Sequence, residues 1–256
     1  MHDQHRQEQH RLVQEKFTEQ AERWGKMDVD PELNEILERI DVAPDACVLD
    51  VAAGTGLLAR ALAPRVKEVI AVDITTAMLE RGREAARRQG IDNVAFLEAA
   101  AEKLPFPNGM FDLAITRFSL HHIAEPQSVV NEMVRVVRGR GRVAIIDMLG
   151  PDDPEIAERF NALQRRRDAS HARTLSWVEL RAMLDRAGAQ AVDSFTRDRT
   201  RDFDDWIELS GAETKDELRA ALEAELHGGA PTGFRPFLDA GALTFHHPIG
   251  AIVARA

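Results

Sequence analysis

The chain has 256 residues and no tyrosine, which removes the tyrosine–lysine proton relay that short-chain dehydrogenases use. Cysteine is nearly absent too. Cys47 stands alone, so no internal disulfide can form and no metal site can be built from thiolates. It precedes an apolar strand and reads as a small core residue, in keeping with a reducing, cytoplasmic setting. No apolar run approaches the ~20 residues that span a bilayer. The amino-terminal stretch is polar where a secretory signal would carry an apolar core. Net positive charge is also missing. The formal charge is -10, which argues against the basic face a nucleic acid requires. The run Arg165-Arg166-Arg167 is followed by Asp168 and reads as a solvated helix face. No internal repeat and no low-complexity segment is visible.

Hydrophobic residues make up 44% of the chain, enough for a full core in one ordinary domain. The informative stretch is Val48-Leu49-Asp50-Val51-Ala52-Ala53-Gly54-Thr55-Gly56. Val48 to Val51 read as a buried strand end, the glycines as a tight turn, and Leu57 onward as a helix. Gly54 and Gly56 remove the Cβ atoms that would hold a ligand away from the backbone. The helix behind the loop offers unpaired N–H groups and the positive end of its dipole. Gly54, Gly56 and Ala59 nearly satisfy a dinucleotide fingerprint, with Asp73 ending a second strand at about the expected ~20 residues. Asp50 turns the reading away from NAD. A carboxylate there repels a pyrophosphate and attracts a cationic amino group. S-adenosylmethionine has no phosphate, an α-amino group and a sulfonium, and Asp73 would accept hydrogen bonds from its ribose hydroxyls.

Strand and helix patterns then alternate: strand 47–51, helix 55–63, strand 68–73, helix 75–89, strand 94–98, strand 111–117, helix 126–138 and strand 141–148. This predicts a doubly wound α/β sheet. Ligands in such sheets sit beyond the carboxyl ends of the strands, where Asp50, Asp73, Arg117 and Asp147 all fall. Residues 1–11 carry no apolar periodicity and read as a frayed polar tail, His2, His5 and His10 included. Val13, Phe17, Ala21 and Trp24 recur at helical spacing, and Pro31 opens a second helix through Ile40. Beyond Gly150, Ser176 and Glu179 form a capping box, Gly188 ends that helix, and 190–197 reads as a strand. Thr214 to Glu217 reads as a second capping box, starting a helix to His227. Leu243 to Val253 reads as one final strand.

Four blocks carry a family resemblance: VLDVAAGTG (48–56), VIAVDITTAML (69–79), AEKLPFPNGMFDLAITRFSLHHI (101–123) and VVRGRGRVAIIDM (136–148). Together they resemble the class I S-adenosylmethionine-dependent methyltransferases of the type-11 group, related to the ubiquinone/menaquinone C-methyltransferases. The resemblance implies a Rossmann-like fold with a seven-stranded, mostly parallel sheet, an antiparallel final strand and an amino-terminal helical lid. It divides the chain into a tail and lid (1–45), a cofactor-binding half (46–150), and acceptor-pocket helices with the last strands of the same domain (151–256). It implies S-adenosylmethionine as cofactor, with S-adenosylhomocysteine as product. Ala52 and Thr55 join Asp50, Gly54, Gly56 and Asp73 in the cofactor loop. Ile74 and Met78 would pack on adenine. An acidic residue commonly holding the adenine amino group is Ala100 here, which leaves Ala101 and Glu102 for that contact. Phe17, Gln20 and Trp24 would belong to the lid. Arg117 and His121 would flank the methyl-transfer end, one of His121 and His122 facing the site, and His171 would lie in the acceptor pocket on the far side. Phe118 and His121 stand where metal-binding relatives carry carboxylates, so no metal is assigned.

The expected activity is methyl transfer to carbon, oxygen or nitrogen of a small molecule, neutral or cationic, by a monomer or homodimer. Neither nucleic acid nor membrane is expected as a partner. An NAD-dependent oxidoreductase and a non-catalytic S-adenosylmethionine-binding protein are the alternatives.

Overall fold

A computed structural model describes residues 2–25, 31–40, 42–208 and 212–256. The elements in order are α1 (His2–Trp24), α2 (Pro31–Arg39), β1 (Cys47–Val51), α3 (Leu57–Leu62), β2 (Glu68–Asp73), α4 (Thr76–Arg88), β3 (Val94–Glu98), β4 (Phe111–Arg117), α5 (Pro126–Val136) and β5 (Val137–Met148). They continue with α6 (Pro154–Arg167), α7 (Trp177–Arg186), β6 (Gln190–Arg197), β7 (Thr200–Asp202), α8 (Phe203–Ile207), α9 (Ala212–Leu226), β8 (Pro236–Asp239), β9 (Ala242–His246) and β10 (Ile249–Arg255).

Seven strands form the main sheet in the order β3-β2-β1-β4-β5-β10-β6. β1 lies at its centre, parallel to β2 and β4. β10 runs antiparallel to both β5 and β6. Val48, Leu49 and Val51 are wholly buried, each side chain removed from water contributing ~1.5–3 kcal/mol. Two apolar clusters cover the two faces of the sheet. Val129, Val130 and Met133 of α5 and Leu180, Met183 and Leu184 of α7 pack on one face. Leu33, Ile36 and Leu37 of α2 and Leu58, Ala59 and Leu62 of α3 pack on the other. This is the doubly wound arrangement that the alternating pattern predicts.

Three features differ from the sequence reading. Residues 2–11 are the first turns of α1 and not a frayed tail. Gln9 is buried, and its Nε2 donates to the carbonyls of His122 (2.8 Å) and Ser170 (2.6 Å). Tertiary hydrogen bonds, which leave no periodic trace, hold this segment. Leu243 to Val253 is not one strand. It breaks at His247-Pro248, where proline cannot donate to a ladder, into β9 of one sheet and β10 of another. Thr214 lies inside α9 and not at its start. The Ser176–Glu179 capping box is present. The stretch 26–30, inside the expected lid, lies outside the described residues.

Between β6 and β10 the chain leaves the main sheet and builds a cap, a three-stranded antiparallel sheet ordered β7-β9-β8. Phe203, Phe234, Phe245 and Leu218 form its core together with Phe160 of α6.

Candidate active site

The carboxyl ends of β1, β2 and β4 open into a cavity of about 880 Å³, roofed by α1 and walled on the far side by the cap. That size suits a cofactor with a small second ligand. The loop after β1 is shaped by backbone conformation. Gly54 and Gly56 have φ of +57° and +64°, a region that favours glycine. A Cβ at Gly54 would stand 3.2 Å from Met78 Cε, and one at Gly56 only 2.6 Å from Phe96 Cε1. Ala52 (φ 54°) and Phe118 (φ 53°) are left-handed as well, without being glycine. Both line the cavity, at the ends of β1 and β4. Strain of this kind persists where the surrounding packing holds it. The sequence reading had no signal for Phe118 beyond its place after β4.

Asp73 ends β2. Its Oδ2 accepts from Gly54 N–H and its Oδ1 from Thr75 N–H, both at 2.8 Å. Burial pushes this carboxyl above its ordinary value, and those N–H groups pull it back. Each oxygen retains a lone pair for a further donor on the cavity side. Ile74, Met78, Ala99 and Ala101 supply apolar wall beside it. Glu102 lines the same end. Burial raises its pKa, but the hydrogen bond from His10 Nε2 (2.9 Å) helps bring it below the ordinary value. A Cβ-free turn, a two-oxygen acceptor at the end of β2 and an apolar wall beyond fit an adenosine with its ribose diol on Asp73.

Asp50 is placed differently from what its position suggests. It lies beneath the loop, 1% exposed, its Oδ2 accepting from Ala59 N–H at 3.0 Å, and it is not on the cavity wall. Burial pushes its pKa up to about 7, against the pull of the Ala59 N–H and the Arg117 charge. Asp50 therefore acts on the loop, by fixing the start of α3. Gly56 likewise shapes the turn from behind the wall, whereas Ala52, Gly54 and Thr55 face the cavity.

After β4, a single 3-10 turn (Leu120–His122) brings both histidines to the cavity. The expectation that only one would face it is corrected. Their ring centroids are 4.2 Å apart. His121 Nδ1 lies 2.6 Å from Asp147 Oδ1, at the end of β5. His122 Nδ1 donates to the Ser170 carbonyl at 3.0 Å. Burial depresses its pKa to about 4.

His171 is not across the pocket. It is buried behind His121, ring centroids 5.8 Å apart, and is absent from the cavity wall. Asn161 Oδ1 already accepts from Thr174 N–H, so His171 Nε2 must donate to that same oxygen at 2.9 Å. Burial drives its pKa down to about 2, so it is a poor base and a neutral donor. Arg117 lines the cavity with its guanidinium 4.4 Å from the Phe118 ring centroid.

The far wall is formed by Arg167, which the sequence reading assigned to a solvated helix face, and by Arg199, Arg201, Trp206 and His247, which it passed over. Arg166 does face solvent and pairs with Glu217. Arg167 does not, and lies over Trp206, 4.7 Å from the ring centroid. Among the described residues no group of three or more His, Cys, Asp or Glu is arranged to hold a metal ion. No described helix is long and apolar enough to cross a membrane.

A parallel sheet with β10 reversed, a glycine turn after β1 and an acidic end to β2 define a Rossmann-like nucleotide-binding fold of the methyltransferase class. The methyltransferase-domain family of type 11 matches residues 49–145. The chain is 37% identical over 164 residues to the uncharacterized methyltransferase YcgJ of Bacillus subtilis, covering 64% of this chain and 65% of that protein. It is 36% identical over 129 residues to the ubiquinone/menaquinone biosynthesis C-methyltransferase UbiE of Ectopseudomonas mendocina, covering 49% and 50%. The matches thus span about two thirds and half of these curated relatives. The crystal structure of the Bacillus subtilis YcgJ protein superposes with a TM-score of 0.79 at 30% identity, covering 87% of this chain and 97% of that one. A crystal structure from Bacillus halodurans C-125 gives a TM-score of 0.81 at 27% identity, covering 88% and 99%. The chain belongs to the S-adenosylmethionine-dependent methyltransferases of the type-11 group.

Proposed function

We propose that this chain transfers the methyl group of S-adenosylmethionine to a small-molecule acceptor, with His121 as general base and Asp147 as the residue that positions it. The observation that carries the reading is the buried His121–Asp147 pair beside the cofactor end of a roofed cavity. When bound, the cofactor supplies a methyl on a sulfonium, and the C–S bonding electrons return to sulfur as S-adenosylhomocysteine forms.

The protein's own residues orient and deprotonate. Asp73 accepts the ribose hydroxyls, and Ile74, Met78, Ala101 and Glu102 surround adenine. Thr55, with the loop that Asp50 braces, shapes the amino-acid end. Asp147 holds His121 Nδ1–H, which leaves the lone pair on Nε2 to take the acceptor's proton as the new bond to carbon forms. Arg117 stands where β4 ends, placed to orient the acceptor. Much of the acceleration comes from alignment of the two reactants. A cavity of this size, between the roof of α1 and the cap wall, suits a metabolite.

Titration calorimetry of the full chain with S-adenosylhomocysteine and with NADH tests the cofactor. Tight NADH binding without S-adenosylhomocysteine binding overturns the reading in favour of an oxidoreductase. Binding with no methyl transfer to any acceptor in a metabolite extract leaves a non-catalytic binder.

A further inference from the structure

Away from Asp73, the cavity wall contains Arg167 at the end of α6, Trp206 in α8 and His247 between β9 and β10. Arg167 Nε, Trp206 Nε1 and His247 Nε2 are buried with no hydrogen-bond partner among the described residues. Such atoms are costly to leave dry and unpaired. An arginine Nε–H and an indole N–H can only donate, so what both lack is an acceptor. The Arg167 guanidinium is not loose, because it is held over the Trp206 ring. Trp206 in turn packs against Phe245 and Phe234 of the cap core, ring centroids 5.0 and 5.3 Å away.

The surroundings of His247 are positive, although the whole chain is acidic. Burial pushes His247 well below the ordinary imidazole range, and the charges of Arg167, Arg201 and Arg199 push it further. It is a neutral ring among guanidinium groups. The nearby carboxylates Asp168, Asp202, Asp205 and Glu208 line the same cavity. Asp168 accepts from the Ser170 N–H and hydroxyl, and Asp202 caps α8 at Asp205 N–H. Asp205 is exposed, and Glu208 pairs with Arg23. Burial lowers the Arg167 pKa, and Asp168 offsets this only in part.

Resting on the methyl-transfer reading, we propose that the acceptor carries an oxyanion, a carboxylate or phosphate, seated on Arg167, the Trp206 N–H and His247. Arg167 neutralises the charge with a charge-assisted hydrogen bond. Trp206 fixes its direction, and neutral His247 presents Nε2–H. Anchored at that wall, the acceptor spans the cavity toward His121, so the anion site selects the substrate while the base acts at the other end.

The test uses the full chain and titration calorimetry. S-adenosylhomocysteine is titrated first. Absence of binding sinks the methyl-transfer reading, and this inference with it. The loaded protein is then titrated with 4-hydroxybenzoate, 4-hydroxyphenyl phosphate and the neutral 4-hydroxybenzamide, so the two anion arms separate a carboxylate from a phosphate. At least one anion is expected to bind about tenfold or more tighter than the amide, the weight of one charge-assisted hydrogen bond. Arg167→Gln and Trp206→Phe are each expected to shrink that preference, with S-adenosylhomocysteine affinity held as proof of folding. Trp206→Phe keeps a ring under the guanidinium and so reads the N–H alone, should Arg167→Gln fail to fold. Equal binding of amide and anions, no binding of either anion, or a preference that survives both substitutions overturns the inference while leaving the methyl-transfer reading intact.

Discussion

His121 Nδ1 and Asp147 Oδ1 are 2.6 Å apart in a buried pair, and the other carboxylate oxygen accepts from Leu120 N–H at 2.8 Å. The carboxylate is gripped by the same turn that presents the imidazole. Ring orientation and tautomer are therefore set together, with the proton on Nδ1 and the lone pair on Nε2.

His121→Ala is expected to lower turnover by roughly 10²–10⁴-fold, with S-adenosylhomocysteine affinity close to the parent. Asp147→Asn should fall in the same direction, because Leu120 N–H and His121 Nδ1–H then compete for one amide oxygen. Single-turnover kinetics with an identified acceptor check both. Parent-like rates in both variants would mean that alignment alone carries the reaction.

Asp73→Ala should weaken S-adenosylhomocysteine binding by roughly 1–3 kcal/mol, since ribose hydroxyls and the Gly54 and Thr75 N–H groups all lose an acceptor. Gly54→Val should be worse, with a branched side chain forced into φ +57° against Met78. Calorimetry decides, and parent-like affinity in both would move the cofactor elsewhere.

Asp50 gives a pH signature in stability. Its folded pKa, raised by burial to about 7 from 3.8, means that the folded state holds the proton more tightly than the unfolded chain. Its contribution is present in full below about pH 4 and is lost as pH rises toward 7. Asp50→Asn should therefore match the parent near pH 4 and gain on it up to about pH 7. Melting temperatures across that range test this, and a constant offset would contradict it.

The histidine cluster slopes the other way. His122 and His171 are depressed to about 4 and about 2 by burial. Their stabilising contribution is complete above the unfolded value of about 6.5 and is lost as pH falls through the folded values. Acid unfolding should begin below about pH 6.5 and flatten in the His122→Gln, His171→Gln double variant. An unchanged acid limb in that variant would place the charging elsewhere.

Gln9 ties the roof to the site through two backbone carbonyls. Gln9→Ala should speed amide hydrogen exchange across α1 while leaving β1 and β4 protected. Equal exchange in parent and variant would reduce this latch to an incidental contact.

The parts legible in the sequence were those with local causes. Val48 to Val51 announced a strand by burial, Gly54 and Gly56 a turn by conformation, and Asp73 an acceptor by its place at a strand end. What stayed hidden depends on distant partners. Gln9 looks like tail because its two acceptors lie 113 and 161 residues away. Trp206 and His247 look unremarkable until the cap folds and brings them to Arg167. Overall charge hides local charge for a related reason: an acidic total carries no sign that Arg167, Arg199 and Arg201 converge on the far wall. His171 shows the reverse error, a resemblance placing a side chain in the pocket that Asn161 holds behind it.

The cap is an excursion between two strands that are themselves neighbours. Arg197 and Ile249 are paired across β6 and β10, and His247 N–H donates to the Arg199 carbonyl at 2.6 Å just beyond. The loop's two feet are thus stitched together before it departs. Shortening the excursion to a plain hairpin would leave the main sheet's ladder unbroken, and a foreign excursion could be spliced onto the same feet. The cap's share of the cavity wall, Trp206 and His247 included, is in this sense separately replaceable, and the boundary for such a graft lies at residues 198 and 248.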